Sequence, residues 1–127
     1  MEWIIEEERR GAGSALQVSA AKIGEDILLC VSGGTKPHIG CVVQAVPRLS
    51  LSGDGTQSAT ASVLNLTGHK DEFLCRKLAE IVCSRLGVTV VCTGGFHLDG
   101  MTDGQIRELL AVTEDIGEKF AKQMLRR

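Results

Sequence analysis

The sequence predicts an α+β protein: one mostly antiparallel sheet of about six strands with two helices packed against it. Three observations carry that expectation. Apolar residues recur at every second position through short runs in the first two-thirds of the chain, two later stretches repeat with helical periodicity, and no repeat, low-complexity tract or linker divides the 127 residues. A single domain spanning 1–127 follows, of a size that buries about two-thirds of its unfolded surface without metals or disulfides.

Trp3 to Arg9 reads as an edge strand. Leu16, Val18 and Ala20, alternating with Gln17 and Ser19, make a half-buried second strand, which Gly24-Glu25-Asp26 ends in a tight turn. Ile27 to Val31 is apolar at every position and belongs inside the sheet, covered on both faces. Ile39, Cys41, Val43 and Ala45 alternate through a fourth strand ending near Pro47. After the polar connector LSLSGDGTQS, Ala59 to Leu66 returns antiparallel as a fifth, completing a five-strand meander.

A helix begins at Thr67 or Gly68, with Asp71 and Glu72 near the positive end of its dipole and Leu74, Leu78, Ile81 and Val82 on one apolar stripe. Gly87 stops it. Val88 to Cys92, rich in β-branched residues, makes a sixth strand, and TGGFHLDGM follows as a loop. Thr102 and Gln105 have the spacing of a capping box that opens a last helix, whose apolar side carries Ile106, Leu109, Leu110, Ile116 and Phe120. Lys119, Lys122, Arg126 and Arg127 suit its negative end.

Composition excludes several classes of function. A net charge of −2 with no basic stripe and no aromatic platform argues against nucleic acid as a partner. No apolar run approaches the length of a membrane span, and the acidic start MEWIIEEERR lacks the basic, apolar character of a signal peptide, so a cytoplasmic protein is expected. The five cysteines lie in apolar runs without a CxxC pair, as reduced thiols acting as small hydrophobes do. Trp3, Ile4 and Ile5 form an apolar edge that suggests a homodimer.

Chemistry concentrates in three loops. His38 lies in GGTKPHIG, His69 in TGHKDEF and His97 in TGGFHLDG, and the chain has no other histidine. Taken singly, each loop reads as an ordinary turn or helix cap, because glycine, proline and polar residues gather at turns for conformational reasons. Their coincidence points elsewhere. The glycines let backbone amides approach a ligand, Lys36 and Lys70 supply point charges suited to phosphate, and the amides after Gly68 form the positive end of a helix. A phosphorylated small molecule is the ligand class these features fit.

Two other readings stand beside it. His38, His69 and His97 with Asp71 or Asp99 could make a zinc set, although no HxxxH-type spacing supports one. A small lyase or hydrolase acting on a phosphorylated substrate is the enzymatic alternative. SGG is not the GxSxG elbow, GGTK lacks the full phosphate-loop frame and no cysteine adjoins a histidine, so no nucleophile or catalytic residue is assigned.

With these residues in view, GGTKPHIG, GHKDEF and GGFHLDGMT together resemble a small bacterial family: the D-type accessory subunits of UbiD-type aromatic acid decarboxylases, such as gallate decarboxylase. The resemblance runs over nearly the whole chain. It implies a fold similar to proteasome assembly chaperones. It also implies a non-catalytic carrier that takes reduced prenylated FMN from a flavin prenyltransferase to the decarboxylase, binding FMN itself more weakly.

Carried onto this sequence, the first motif is Gly33, Gly34, Lys36, Pro37, His38 and Gly40; the second is Gly68, His69, Lys70 and Asp71; the third is His97 and Asp99. The chain departs from the family at Gly95-Phe96, where one glycine and a single apolar residue are usual. Phe96, Met101 and aliphatic side chains are expected to wall the flavin ring, which accords with the scarcity of aromatic residues.

Overall fold

The computed structural model describes residues 1–65 and 70–125, with the side chains of Lys70 and Asp71 outside the description. The elements run β1 (Trp3–Gly11), β2 (Ser14–Ile23), β3 (Asp26–Gly34), β4 (Cys41–Leu49), β5 (Gln57–Asn65), α1 (Lys70–Leu86), β6 (Val90–His97) and α2 (Asp103–Leu125). The α+β class expected from periodicity is the one observed. The helix start expected at Thr67 or Gly68 lies outside the described residues.

The strands do not form a five-strand meander. The sheet order is β1-β2-β3-β6-β4-β5, so β6 inserts between β3 and β4, parallel to the first and antiparallel to the second. The reason lies in the two runs that are apolar on both faces. Ile27 to Val31 of β3 pairs with Val90 to Gly94 of β6, and strands buried on both sides belong next to one another in the middle of a sheet. Pro47 is tolerated inside β4 because the ladder to β6 ends at Ala45, leaving that side of the strand unpaired.

Both helices lie on one face. α1 packs across β4, β5 and β6, and α2 lies beside α1 and reaches β1. Beneath them Leu16, Val18, Leu29, Val43, Val90 and Cys92 meet Leu78, Val82, Leu109, Ile116 and Phe120, all fully or almost fully buried. Gly87 ends α1 at φ 69°, its amide donating to the Cys83 carbonyl at 2.8 Å. The capping box of α2 is formed: the Thr102 amide donates to Gln105 Oε1 at 2.9 Å, and the Gln105 amide to Thr102 Oγ1 at 3.1 Å.

Ion pairs tie the helices down. Arg9 of β1 reaches Asp115 at 2.6 Å, Lys119 reaches Glu7 at 2.5 Å, and Arg85 of α1 grips Glu118 of α2 through two bonds of 2.8 and 2.9 Å. Burial pushes the Glu7 carboxyl up, but the hydrogen bond from Lys119 and the Arg9 charge outweigh it and hold the group below its ordinary value. The hydrogen bond from Arg85 does the same for Glu118.

Among the described residues, the opposite face of the sheet carries no helix. Register places Leu28, Cys30 and Ser32 of β3, Val91, Thr93 and Gly95 of β6, and Val42, Gln44 and Val46 of β4 on it, an uncharged central field. Val46 is exposed there, as are Leu64 of β5 and Trp3 of β1. Ile4 and Ile5, expected as part of an exposed apolar edge, are instead half-buried and pack against the core.

Candidate functional site

Register brings the sequence motifs to one end of the sheet. β3 and β6 end together at Gly34 and His97, Cys41 at the start of β4 pairs with Gly94, and Asn65 at the end of β5 pairs with Cys41. α1 begins at the same end, where Asn65 Nδ2 donates to Glu72 Oε2 at 3.0 Å. α2 also starts there.

The stretch read as the loop TGGFHLDGM is largely strand, since β6 continues to His97. Glycine is depleted in strands, which made the run look like a loop, but here it answers a close approach of backbones. Gly94 has φ 127°, and a Cβ on it would lie 1.8 Å from the Val31 carbonyl oxygen. Gly34, at φ 76°, faces the His97 carbonyl in the same way. Only residues without a side chain let β3 and β6 run together to this end.

The loop 35–40 is pinned to β6 at both ends. The Thr35 amide donates to the His97 carbonyl at 2.8 Å, and the Gly40 amide donates to the Gly94 carbonyl at 2.9 Å. The loop therefore arches over Gly95, and the His38 ring lies against that residue on the open face. His97 shares the face because it follows Gly95 by two positions in the strand. The two imidazoles meet edge to face, ring centroids 6.3 Å apart at an interplanar angle of 79°.

Their hydrogen bonds fix which nitrogens carry protons. His38 Nδ1 lies 3.0 Å from the Lys36 carbonyl, which can only accept, so Nδ1 is the donor. His97 Nε2 lies 2.9 Å from Asp99 Oδ1 and donates to that carboxylate.

Of the residues picked from sequence, the structure joins Gly33, Gly34, Lys36, His38 and Gly40 of the first loop with His97 and Asp99 of the third. Lys36 is exposed and Gly40 buried. Lys70 is the first residue of α1, and His69 lies outside the described residues.

Phe96 corrects an expectation. It alternates with His97, so it points to the helix side, where with Met101, Phe73, Ile106 and Leu110 it lines an apolar crevice of about 10 Å³. That is room for about one water, not a ring system. Thr35 and Gly95 were missed. The signal that could have found Gly95 is the doubled glycine directly after a β-branched run, since one glycine suffices for a bend.

Among the described residues, no group of three or more His, Cys, Asp or Glu is placed to hold a metal ion. No described helix is long and apolar enough to cross a membrane. Cys30 on the open face is half-buried, and burial pushes its thiol up, away from the reactive thiolate.

A sheet covered on one side by two helices is also the fold of a chain in the crystal structure of a chaperone complex for yeast 20S proteasome assembly. The two chains superpose with a TM-score of 0.53 at 20% identity, over 96% of this chain and 94% of the other, a likeness of fold alone. Residues 10–125 match the family described as the prenylated flavin chaperone LpdD-like domain, and the protein belongs to that family. It is 30% identical over 111 residues to Protein LpdD of Lactiplantibacillus plantarum (strain ATCC BAA-793 / NCIMB 8826 / WCFS1), covering 86% of this chain and 76% of that protein.

Proposed function

We propose that the protein binds reduced prenylated FMN at the end of the sheet where the first and third loops meet, and delivers it to a UbiD-type aromatic acid decarboxylase after receiving it from a flavin prenyltransferase. The observation that carries this reading is the pairing of His38 and His97 on the open face by a loop tied down at both ends, in a chain of the prenylated flavin chaperone family. Two imidazoles of fixed tautomer suit the polar edge of a flavin, whose pyrimidine ring offers both donors and acceptors.

The donor set fits the cofactor. Lys36 and Lys70 would bind the phosphate together with the start of α1, beside a loop whose backbone course Gly33, Gly34 and Gly40 permit; His38, His69 and His97 would hold the ring, with Asp99 orienting His97. The bound flavin supplies reactivity for the decarboxylase. This chain's residues bind it, orient it and shield it, and none acts as a catalytic group.

A flavin is normally buried over most of its surface, and the open face by itself covers one side of a ring. A homodimer that brings two open faces together would give the cover. The uncharged centre of that face and the exposure of Trp3, Val46 and Leu64 support it.

Anaerobic titration of the protein with reduced prenylated FMN, followed by absorbance, tests the reading. Binding without turnover is expected, and loaded protein should restore activity to a cofactor-free decarboxylase. Lys36→Met and Lys70→Met should each weaken binding by about 1–3 kcal/mol, the scale of a charge-assisted hydrogen bond. Unchanged affinity in both removes the phosphate assignment. Stoichiometric zinc in protein purified without added metal would overturn the role given to the histidines.

A further inference from the structure

We infer that Gly95 is a positioning residue: the missing side chain at 95 is what seats the His38 ring on the open face beside His97. The inference rests on the binding role proposed above for His38, and it gives the two adjacent glycines of β6 separate tasks.

Gly94 serves the backbone. Its φ of 127° and the 1.8 Å approach of the Val31 carbonyl to a Cβ there concern the pairing of β3 with β6, and no ligand-facing side chain enters into them. Gly95 differs on both counts. Its φ is not positive, so an alanine could adopt its backbone, and none of the three nearest atoms to its added Cβ belongs to the sheet. Those atoms are His38 Cε1 and Nε2, both at 2.9 Å, and the His38 carbonyl oxygen at 3.0 Å. A side chain at 95 would therefore meet the histidine first.

The approach of His38 is defined from several sides. The loop is anchored by the Thr35 and Gly40 amides, the ring is tethered through Nδ1 to the Lys36 carbonyl, and the floor beneath it is Gly95. A methyl group in that floor would press on the ring and on the His38 carbonyl, and the ring, as the far end of a side chain, is the part that lifts or turns most readily. The edge-to-face relation with His97 would change, and a ligand held between the two imidazoles would lose its fit to one of them. The charged side chains near the pair, Lys36 and Asp99, are both exposed.

The test begins without ligand. In Gly95→Ala, heteronuclear NMR of the imidazole nitrogens should show shifted His38 signals and altered nuclear Overhauser contacts between the His38 and His97 rings, with unchanged amide signals for β1 and β2. Reduced prenylated FMN affinity should fall about tenfold, the loss of one well-aligned hydrogen bond. In a His38→Ala background, adding Gly95→Ala should produce little further change, because the glycine acts through the ring.

Unaltered His38 signals in Gly95→Ala would overturn the positioning role, as would additive losses in the double variant. If wild-type protein fails to bind the flavin, the proposed function falls, yet the NMR comparison still decides whether Gly95 seats His38. If Gly95→Ala does not fold, His38→Ala should restore folding by removing the clashing ring, and failure to restore it refutes the inference.

Discussion

Replacing Gly94 by alanine tests the reading of β6 as a strand built around glycine. The substitution puts a non-glycine residue at φ 127°, a conformation that costs about 1–3 kcal/mol when a side chain is forced into it. The new Cβ would also fall 1.8 Å from the Val31 carbonyl oxygen, so β3 and β6 must part locally and give up at least one ladder hydrogen bond, about 1 kcal/mol more. The sum is about 2–4 kcal/mol, a large fraction of the 5–15 kcal/mol typical of a domain. For a chain of 127 residues that corresponds to a fall in Tm of about 7–15 °C. The assay is urea denaturation followed by circular dichroism, with Gly104→Ala as the comparison. Gly104 lies in the first turn of α2, where an added Cβ meets nothing closer than 3.8 Å, so that change should stay within about 1 kcal/mol of wild type. A Gly94→Ala protein as stable as wild type would refute the strand geometry, and so would equal losses in the two variants.

Two further outcomes are expected. Glu7 and Glu118 have folded pKa values below their ordinary 4.5, so their contribution is complete above that pH and disappears as pH falls through the folded values. Denaturation midpoints measured from pH 6 to pH 3 should decline, and Glu7→Gln with Glu118→Gln should flatten the decline by about 0.2–1 kcal/mol per pair; an unchanged slope would rule the pairs out as its source. Light scattering at micromolar concentration should return the mass of a dimer that Val46→Asp or Leu64→Asp dissociates, and a monomer mass for wild type would defeat the open-face interface.

Local pattern revealed the elements better than their arrangement. Alternation at Cys41, Val43 and Ala45 and the Thr102–Gln105 capping spacing depend on neighbours in sequence, and both are as expected. Strand pairing depends on contacts between distant residues, so the insertion of β6 was not legible from its own residues. The clue lay in comparing two segments, because Ile27–Val31 is apolar throughout and Val88–Cys92 is apolar but for Thr89, and such runs seek each other. The candidate site was legible as composition, three histidines among glycines. Which histidines meet was not, since the meeting of His38 and His97 follows from β3 and β6 ending in register. The side of the sheet to which Phe96 points depends on where the strand stops, and treating Gly94 and Gly95 as loop removed the alternation that would have settled it.

The insertion of β6 also sets an order of assembly. β1, β2 and β3 pair among themselves through adjacent antiparallel ladders, as do β4 and β5, whereas among the described residues β3 and β4 are joined only through the strand laid between them. Its contacts, such as Ile27 with Val90, span a large part of the chain, and contacts of high sequence separation close slowly. A chain emerging from the ribosome can form the three-strand meander and the β4–β5 hairpin early and still lack the seam that unites them. Until β6 is made, Thr35 and Gly40 have no carbonyls from residues 97 and 94 to bind, and the loop bearing His38 has no floor. The seat of the His38 ring is thus the last part of the sheet to be completed, made only when β6 joins the two units that precede it.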